Sequence, residues 1–169
     1  MKAPPHWPAD ILYITEQQYH SSVPAEYRLQ LVIRPITESS HPAHGQFGLF
    51  AVKRIPPRTH IVDYIGEVHC DDRLGSDYDL SLYRTPAGFS VGIDAQRMGN
   101  EARFVNDYRA IKSKPNAFFD ERRTEGGELR MSVWSGSDPI KKGDEILVSY
   151  GKGWWQARQG LSGVNDRAP

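Results

Sequence analysis

At 169 residues the chain has the size of one compact domain, and its 15 glycines and 12 prolines exceed the usual combined share of about 12%, which excludes a bundle of long helices and argues for short elements joined by turns. The 21 basic residues are cancelled by 21 acidic ones, removing the electrostatic basis for sequence-independent nucleic-acid binding. The single cysteine, Cys70, excludes an internal disulfide and a zinc site of several thiolates.

In chain order, residues 1–27 carry Pro4, Pro5, Pro8 and Pro24 and read as an irregular arm, with one helical turn near Asp10 to Gln18. From Arg28 the run LQLVIRPI is rich in β-branched residues and reads as a strand. After the turn-rich TESSHPAHG, two strands are expected, GLFAV and THIVDYIGEV, divided by Pro56 and Pro57 and paired as a hairpin. YDLSLYR and FSVGIDA flank TPAG as a second hairpin. Residues 96–106 hold a helical turn that Asp94 could cap. NAFFDERR, GELRMSVWS and DEILVSYG complete a mainly β chain, and residues 157–169 form a polar, Gly-rich tail. No run approaches the roughly 18 apolar residues of a membrane span, and the first residues lack a secretory pattern, so an intracellular protein of nucleus or cytoplasm is expected. Nothing sets the oligomeric state.

Four segments hold residue types that chemistry could use. GQFGLFA, after His44, is a small-residue loop entering a strand, where glycine lets a ligand approach the backbone. DYIGEV places Tyr64 beside Gly66 and Glu67. ARFVNDYR, followed by Pro115-Asn116, sets Asn106 between Arg103 and Asp107, polar groups that need partners if buried. KKGDEILVSYGKGWW ends a strand-like run on Tyr150, before Gly151 and two tryptophans. Taken singly, each also reads as ordinary packing: a strand tyrosine or a tryptophan pair is usually core.

The succession GLFA, YIGEV, IDAQRMGNEARFVND with a following PN, and GDEILVSYG with aromatic residues beyond resembles the SET domain of protein lysine methyltransferases over about residues 28–156. The resemblance implies a fold of small curved β-sheets with short helices and a carboxy-terminal pseudoknot, in which RFVND and ILVSYG lie side by side. Such threading is rare among folds. It implies S-adenosylmethionine as methyl donor, S-adenosylhomocysteine as product, no metal, and a protein lysine as acceptor, with histones a common target. By that resemblance Gln46 and Phe47 approach the cofactor, Tyr78, Arg103 and Asn106 hold its methionine end, backbone groups of Asn106 and Asp107 meet the adenine edge, and Trp154 or Trp155 covers the adenine face. Tyr150 takes the position of the catalytic tyrosine, with Tyr64 beside it. Tyr64, Phe119, Val148 and Tyr150 would line the lysine channel.

The residue types suit that chemistry. Methyl transfer from a sulfonium is an in-line displacement that needs a neutral amine held in position, and an aromatic channel disfavours the ammonium by desolvation. The chain departs from the family pattern in three places. GQFG is one residue longer than the common glycine-X-glycine, Asp107 replaces a histidine, and with Cys70 the only cysteine there is no cysteine-rich zinc segment after the core, so Trp154 and Trp155 would close the channel. If position 107 mainly offers backbone atoms, the change is tolerable; if its side chain matters, cofactor affinity falls. A catalytically inactive SET-like protein-interaction module is the alternative reading, and retention of Tyr150 speaks against it. The partner is a lysine-bearing protein, with no direct nucleic-acid or membrane contact expected.

Overall fold

A computed structural model describes residues 4–12, 20–23, 30–151 and 154–155. Most of the expected helical turn near Asp10 to Gln18, the start of the first strand at Arg28 and the tail at 157–169 lie outside the described residues. Ten strands follow in order: β1 (Leu31–Pro35), β2 (Phe47–Ala51), β3 (His60–Asp63), β4 (Glu67–His69), β5 (Asp79–Arg84), β6 (Ser90–Asp94), β7 (Asn106–Asp107), β8 (Ala117–Arg123), β9 (Leu129–Ser135) and β10 (Leu147–Val148). A 3-10 turn, Glu101–Phe104, precedes β7. The architecture is mainly β, built as small separate sheets: β1-β2, β3-β9-β8, β4-β6-β5 and β10-β7. Among the described residues no helix is long and apolar enough to cross a membrane.

The β5-β6 hairpin forms where expected, its turn closed by Gly88 at φ 90°. The expected hairpin of GLFAV with THIVDYIGEV does not form. Instead β2 pairs antiparallel with β1, and β3 pairs with β9, His60 opposite Trp134 and Asp63 opposite Ser132. Between β2 and β3 the backbone of Ile55 exchanges hydrogen bonds with Ile140 at 2.9 and 3.0 Å, and after Pro56 and Pro57 the chain turns through Arg58 at φ 50°. A hairpin needs a short primed turn, and this passage supplies none. THIVDYIGEV is also two strands rather than one. It breaks at Gly66, which passes so close to the Asp94 backbone that a Cβ there would stand 2.5 Å from Asp94 O.

The helical turn is shorter than expected and is capped by Asn100, whose Oδ1 accepts from Ala102 N at 3.3 Å. Asp94 is occupied elsewhere, accepting from Ser76 Oγ at 2.8 Å, Gln96 N at 2.9 Å and Arg73 Nη1 at 3.2 Å. DEILVSYG likewise yields only two strand residues, with Glu145 making a lone bridge to Phe50.

The expected neighbourhood of RFVND and ILVSYG is present. β7 and β10 run parallel, Asn106 opposite Leu147 and Asp107 opposite Val148. Backbone groups alternate sides along a strand, so Val148 O accepts from Tyr108 N at 2.9 Å while Leu147 turns to the other side, where its carbonyl accepts from Asn116 N at 3.0 Å. The Asn116 side chain reads the same strand, accepting from Leu147 N at 2.8 Å and donating to Glu145 O at 2.7 Å. The loop from 106 to 116 thus encloses β10 on two sides. Leu49, Val133, Ile140, Ile146, Leu147 and Val148 pack beneath it with at most 1% exposure, which fixes the clasp in the core. A segment held on two edges and buried cannot slip without losing both sets of bonds.

Candidate active site

A cavity of about 690 Å³ opens where β2, the 3-10 turn, β7, β8 and the segment after β10 meet. That is within the range of small-molecule sites, about 300 to 1,000 Å³. Gln46, Phe47, Tyr64, Tyr78, Arg103, Asn106, Asp107, Phe119, Tyr150, Trp154 and Trp155 all line it, although they come from segments spread over most of the chain. Val148 is the exception. Its side chain is fully buried in the core cluster and does not line the cavity; the residue that reaches the cavity lies two positions on, just past β10, at Tyr150.

The two tyrosines are held by their hydroxyls. Tyr150 Oη donates to Val105 O at 2.7 Å, and Tyr64 Oη donates to Tyr78 O at 2.7 Å. Burial pushes both phenols above their ordinary pKa, reinforced at Tyr150 by the Asp107 charge and at Tyr64 by Tyr150. Each therefore stays a neutral phenol at ordinary pH, its proton directed at a carbonyl and its oxygen lone pairs left over. The Tyr64 ring meets Phe119 edge to face at 5.9 Å, and Tyr150 meets Trp154 at 4.8 Å, with Trp155 a further 5.0 Å on. The two sets of rings make an aromatic wall to the cavity.

The polar side is equally ordered. Arg103 donates from Nε to Ala95 O at 3.0 Å and lays its guanidinium over the Tyr78 ring, 4.2 Å from the centroid. Asn106 Nδ2 donates to Glu145 Oε1 at 2.8 Å and to Phe47 O at 3.2 Å. Gly45 adopts φ 80°, a conformation that favours glycine, and delivers the chain to Gln46 and Phe47 at the cavity rim.

Asp107 uses its side chain. Oδ1 accepts from Arg109 N at 2.9 Å, and Oδ2 accepts from Tyr150 N at 2.8 Å and from the Trp155 indole at 3.3 Å. The residue that departs from the family pattern thus ties Tyr150 and Trp155 to β7. Its backbone, opposite in sense to that of Asn106 and Tyr108, faces away from β10.

Lining or adjoining residues not picked from the sequence include His41, Glu145 and Arg109. His41 and Glu145, both buried, are joined at 3.1 Å. Arg109 stacks over Trp155 at 5.3 Å, and its buried Nη1, 3.7 Å from Asp107 Oδ2, has no hydrogen-bond partner among the described residues. Glu145 carried a signal, a carboxylate inside the apolar run DEILVSYG. His41, in a turn-rich segment, carried none.

The SET domain family model matches residues 46–151, more than half of the chain. The chain belongs to the SET domain family. Over 115 residues this SET domain is 33% identical to the histone-lysine N-methyltransferase set-2 of Caenorhabditis elegans, covering 63% of the chain and 7% of that protein. Over 110 residues it is 31% identical to the histone-lysine N-methyltransferase Set2 of Drosophila melanogaster, covering 61% of the chain and 4% of that protein. An H3 lysine-4 specific enzyme of Schizosaccharomyces pombe is 30% identical over 111 residues, 61% of the chain and 11% of that protein. The SET domain therefore spans a small fraction of the length of these relatives.

The cavity fits the methyl donor expected for the family. Its walls are mainly aromatic and aliphatic, as an adenine requires. The unpartnered Arg109 Nη1 calls for an acceptor, and the Asp107 backbone is free of β10. No described residue donates to Asn106 Oδ1, which leaves it to a cationic group such as an α-ammonium.

Proposed function

We propose that this SET domain transfers methyl groups from S-adenosylmethionine to the ε-amine of a lysine in a protein substrate. The observation that carries the reading is the placing of two neutral phenols, the buried Tyr64 and the partly buried Tyr150, at one cavity with Phe119, each phenol proton committed to a main-chain carbonyl. Asn106, Arg103 and Tyr78 would hold the methionine end of the donor, and Asp107, Arg109, Trp154 and Trp155 its adenine. When bound, the donor supplies an electrophilic methyl carbon on a sulfonium, and a neutral amine is its nucleophile.

The residues act by environment rather than by taking a proton. Phenols with raised pKa make poor bases, so neither Tyr64 nor Tyr150 is asked to deprotonate the lysine. The aromatic wall disfavours the ammonium, whose ordinary pKa is about 10.4, by removing its water; the proton leaves to solvent as the amine enters. Lone pairs on Tyr150 Oη then orient a polarised methyl by weak C–H···O contacts, second-order effects that depend on placement. Holding amine and methyl in line is the larger contribution, several kcal/mol in favourable cases. The relatives are named for histone methylation, so core histones are the first acceptors to try.

The alternative is an inactive binding module. Asp107, the departure that slightly favours it, holds Tyr150 and Trp155 through its side chain, and retention of Tyr150 disfavours it. Calorimetric titration with S-adenosylmethionine, followed by labelled transfer to core histones and to a cell extract, separates the two. Binding and incorporation are expected; binding with no incorporation into either pool, or no binding at all, would leave the protein-interaction module.

A further inference from the structure

Asn106 is a side-chain amide at the cavity whose direction decides what it can recognise, and a chain of buried groups sets that direction. The Ala43 N–H donates to His41 Nδ1 at 3.0 Å, so Nδ1 carries no proton and the hydrogen of the neutral ring is on Nε2. His41 Nε2 then donates to Glu145 Oε2 at 3.1 Å, and Asn106 Nδ2 donates to Glu145 Oε1 at 2.8 Å. Both carboxylate oxygens accept, the pattern of an ionised carboxylate. Glu145 can lie there because position 48 is glycine: a Cβ on Gly48 would stand 2.5 Å from Glu145 Oε1. His41 and Glu145 are each only 8% exposed.

Resting on the reading of the cavity as an adenosylmethionine site, we infer that His41 and Glu145 are positioning residues that select a cationic amine end in the cofactor. With both hydrogens of Asn106 Nδ2 committed to Glu145 and Phe47, the acceptor Oδ1 is what the amide offers a ligand. A flipped amide would set Oδ1 against Glu145 Oε1, two acceptors facing each other in a buried place, so the carboxylate forbids the flip. Among the described residues the same carboxylate has no cationic partner, since His41 is neutral and Asn106 uncharged, so its negative charge reaches an ammonium held by Asn106. His41 keeps Glu145 from swinging out of this arrangement.

The test uses the full chain and two ligands measured by calorimetry: S-adenosylhomocysteine, which has the α-amine and no sulfonium, and its analogue lacking the α-amino group. For Glu145→Gln, which keeps shape and removes charge, the amine-bearing ligand should lose about tenfold or more in affinity, while the deaminated analogue changes less than twofold. His41→Ala should show the same selectivity with a smaller loss, and His41→Gln, which can still donate to Glu145, should recover most of it. Equal losses for both ligands would mean that the pair merely supports the fold, and no loss for either would mean that Asn106 is held by other means; both overturn the inference. Should Glu145→Gln fail to fold, His41→Ala against His41→Gln decides by the same selectivity. If the wild-type chain binds neither ligand, the cofactor reading fails and this inference with it, whereas wild-type binding with unselective variants sinks the inference alone.

Discussion

On one face of the β3-β9-β8 sheet Asp63 collects Arg122 at 2.6 Å, Ser132 at 2.7 Å, His60 at 2.8 Å and Arg130 at 3.2 Å; beside the cavity, Glu145 collects an asparagine amide and a neutral histidine. Both carboxylates are 8% exposed, yet their partners differ in kind. Burial would raise the pKa of Asp63, but hydrogen bonds from Arg122, Ser132, His60 and Arg130 hold it well below the ordinary carboxylate range. The arginines cancel its charge, and the cluster ties three strands together. Glu145 has no cation among its partners and leaves negative charge next to a cavity. A carboxylate neutralised by arginines supports the sheet, and one satisfied by neutral donors keeps its charge available to a ligand.

The largest effect should come from breaking the neutralised cluster. Asp63→Ala removes the common acceptor of two partly buried arginines, and removal of one partner from such a cluster costs about 3 to 5 kcal/mol. Arg122 and Arg130 are about a third exposed, so solvent screening places the expected loss at the lower end, about 3 kcal/mol. Urea unfolding measures it. A loss below about 1 kcal/mol would mean that the arginines find water readily and the cluster supports little.

Tyr150→Phe sharpens the other half of the comparison. It removes one hydroxyl from an unchanged aromatic shape and frees Val105 O, so the fold should persist with a loss of about 1 kcal/mol. Methyl transfer should fall at least tenfold, about 1.4 kcal/mol in the transition state, with kcat affected more than cofactor affinity. Near-wild-type turnover by a folded variant would remove Tyr150 from the catalytic position.

Much of this division was legible in the amino-acid order. The four motifs name nine side chains of the cavity wall besides Tyr78 and Phe119, because aromatic and amide residues beside glycine keep their identity wherever the chain carries them. Partner choice was not legible. The β3 strand pairs with β9, some seventy residues on, and no local turn residue announces that. Asn100 takes the cap expected of Asp94 because Ser76 and Arg73, brought in by another loop, already hold that carboxylate. Val148 sits fully buried in the core, a placement that depends on the clasp of β7 and the 106–116 loop around β10. Glu145 and His41 stayed hidden for the same reason: they lie 104 positions apart and meet only in the fold.

On the outer sheet, His69 tests charge pairing through pH. Its ring is 6% exposed, with Nε2 at 2.9 Å from Asp79 Oδ1 and Nδ1 at 3.0 Å from Asp71 O. Burial lowers its pKa, but the Asp79 hydrogen bond and charge outweigh this, so the net shift is upward from 6.5. The folded protein then holds a proton that the unfolded chain has released. This contribution to stability is fully present below about pH 6.5 and is lost as pH rises through the folded value. Thermal melting of wild type from pH 6 to 9, compared with His69→Gln, should show a decline that the variant lacks. Parallel profiles would mean that His69 is neutral when folded.

The smallest effect belongs to β8, which serves both regions: Arg122 reaches the Asp63 cluster, while Phe119, an odd number of residues earlier and so on the opposite face, lines the cavity. Phe119 meets Tyr64 edge to face at 5.9 Å and is only partly buried, so its ring belongs to the wall as well as to the edge of the core. With no hydroxyl at this position there is no group to hold a water against the lysine nitrogen, and the site should accept an amine that already carries one methyl. Val148, fully buried, has no part in this, so the expectation rests on Phe119 alone. Phe119→Tyr adds one hydroxyl and one anchoring point for water, which should shift product toward monomethyl-lysine with little change in overall turnover. Mass spectrometry of products at equal turnover reads the ratio. A wild type that stops strictly at monomethyl-lysine would defeat the expectation outright. A destabilised Phe119→Tyr with an unchanged ratio would return Phe119 to the core, making the wall of the lysine site Tyr64 and Tyr150 alone.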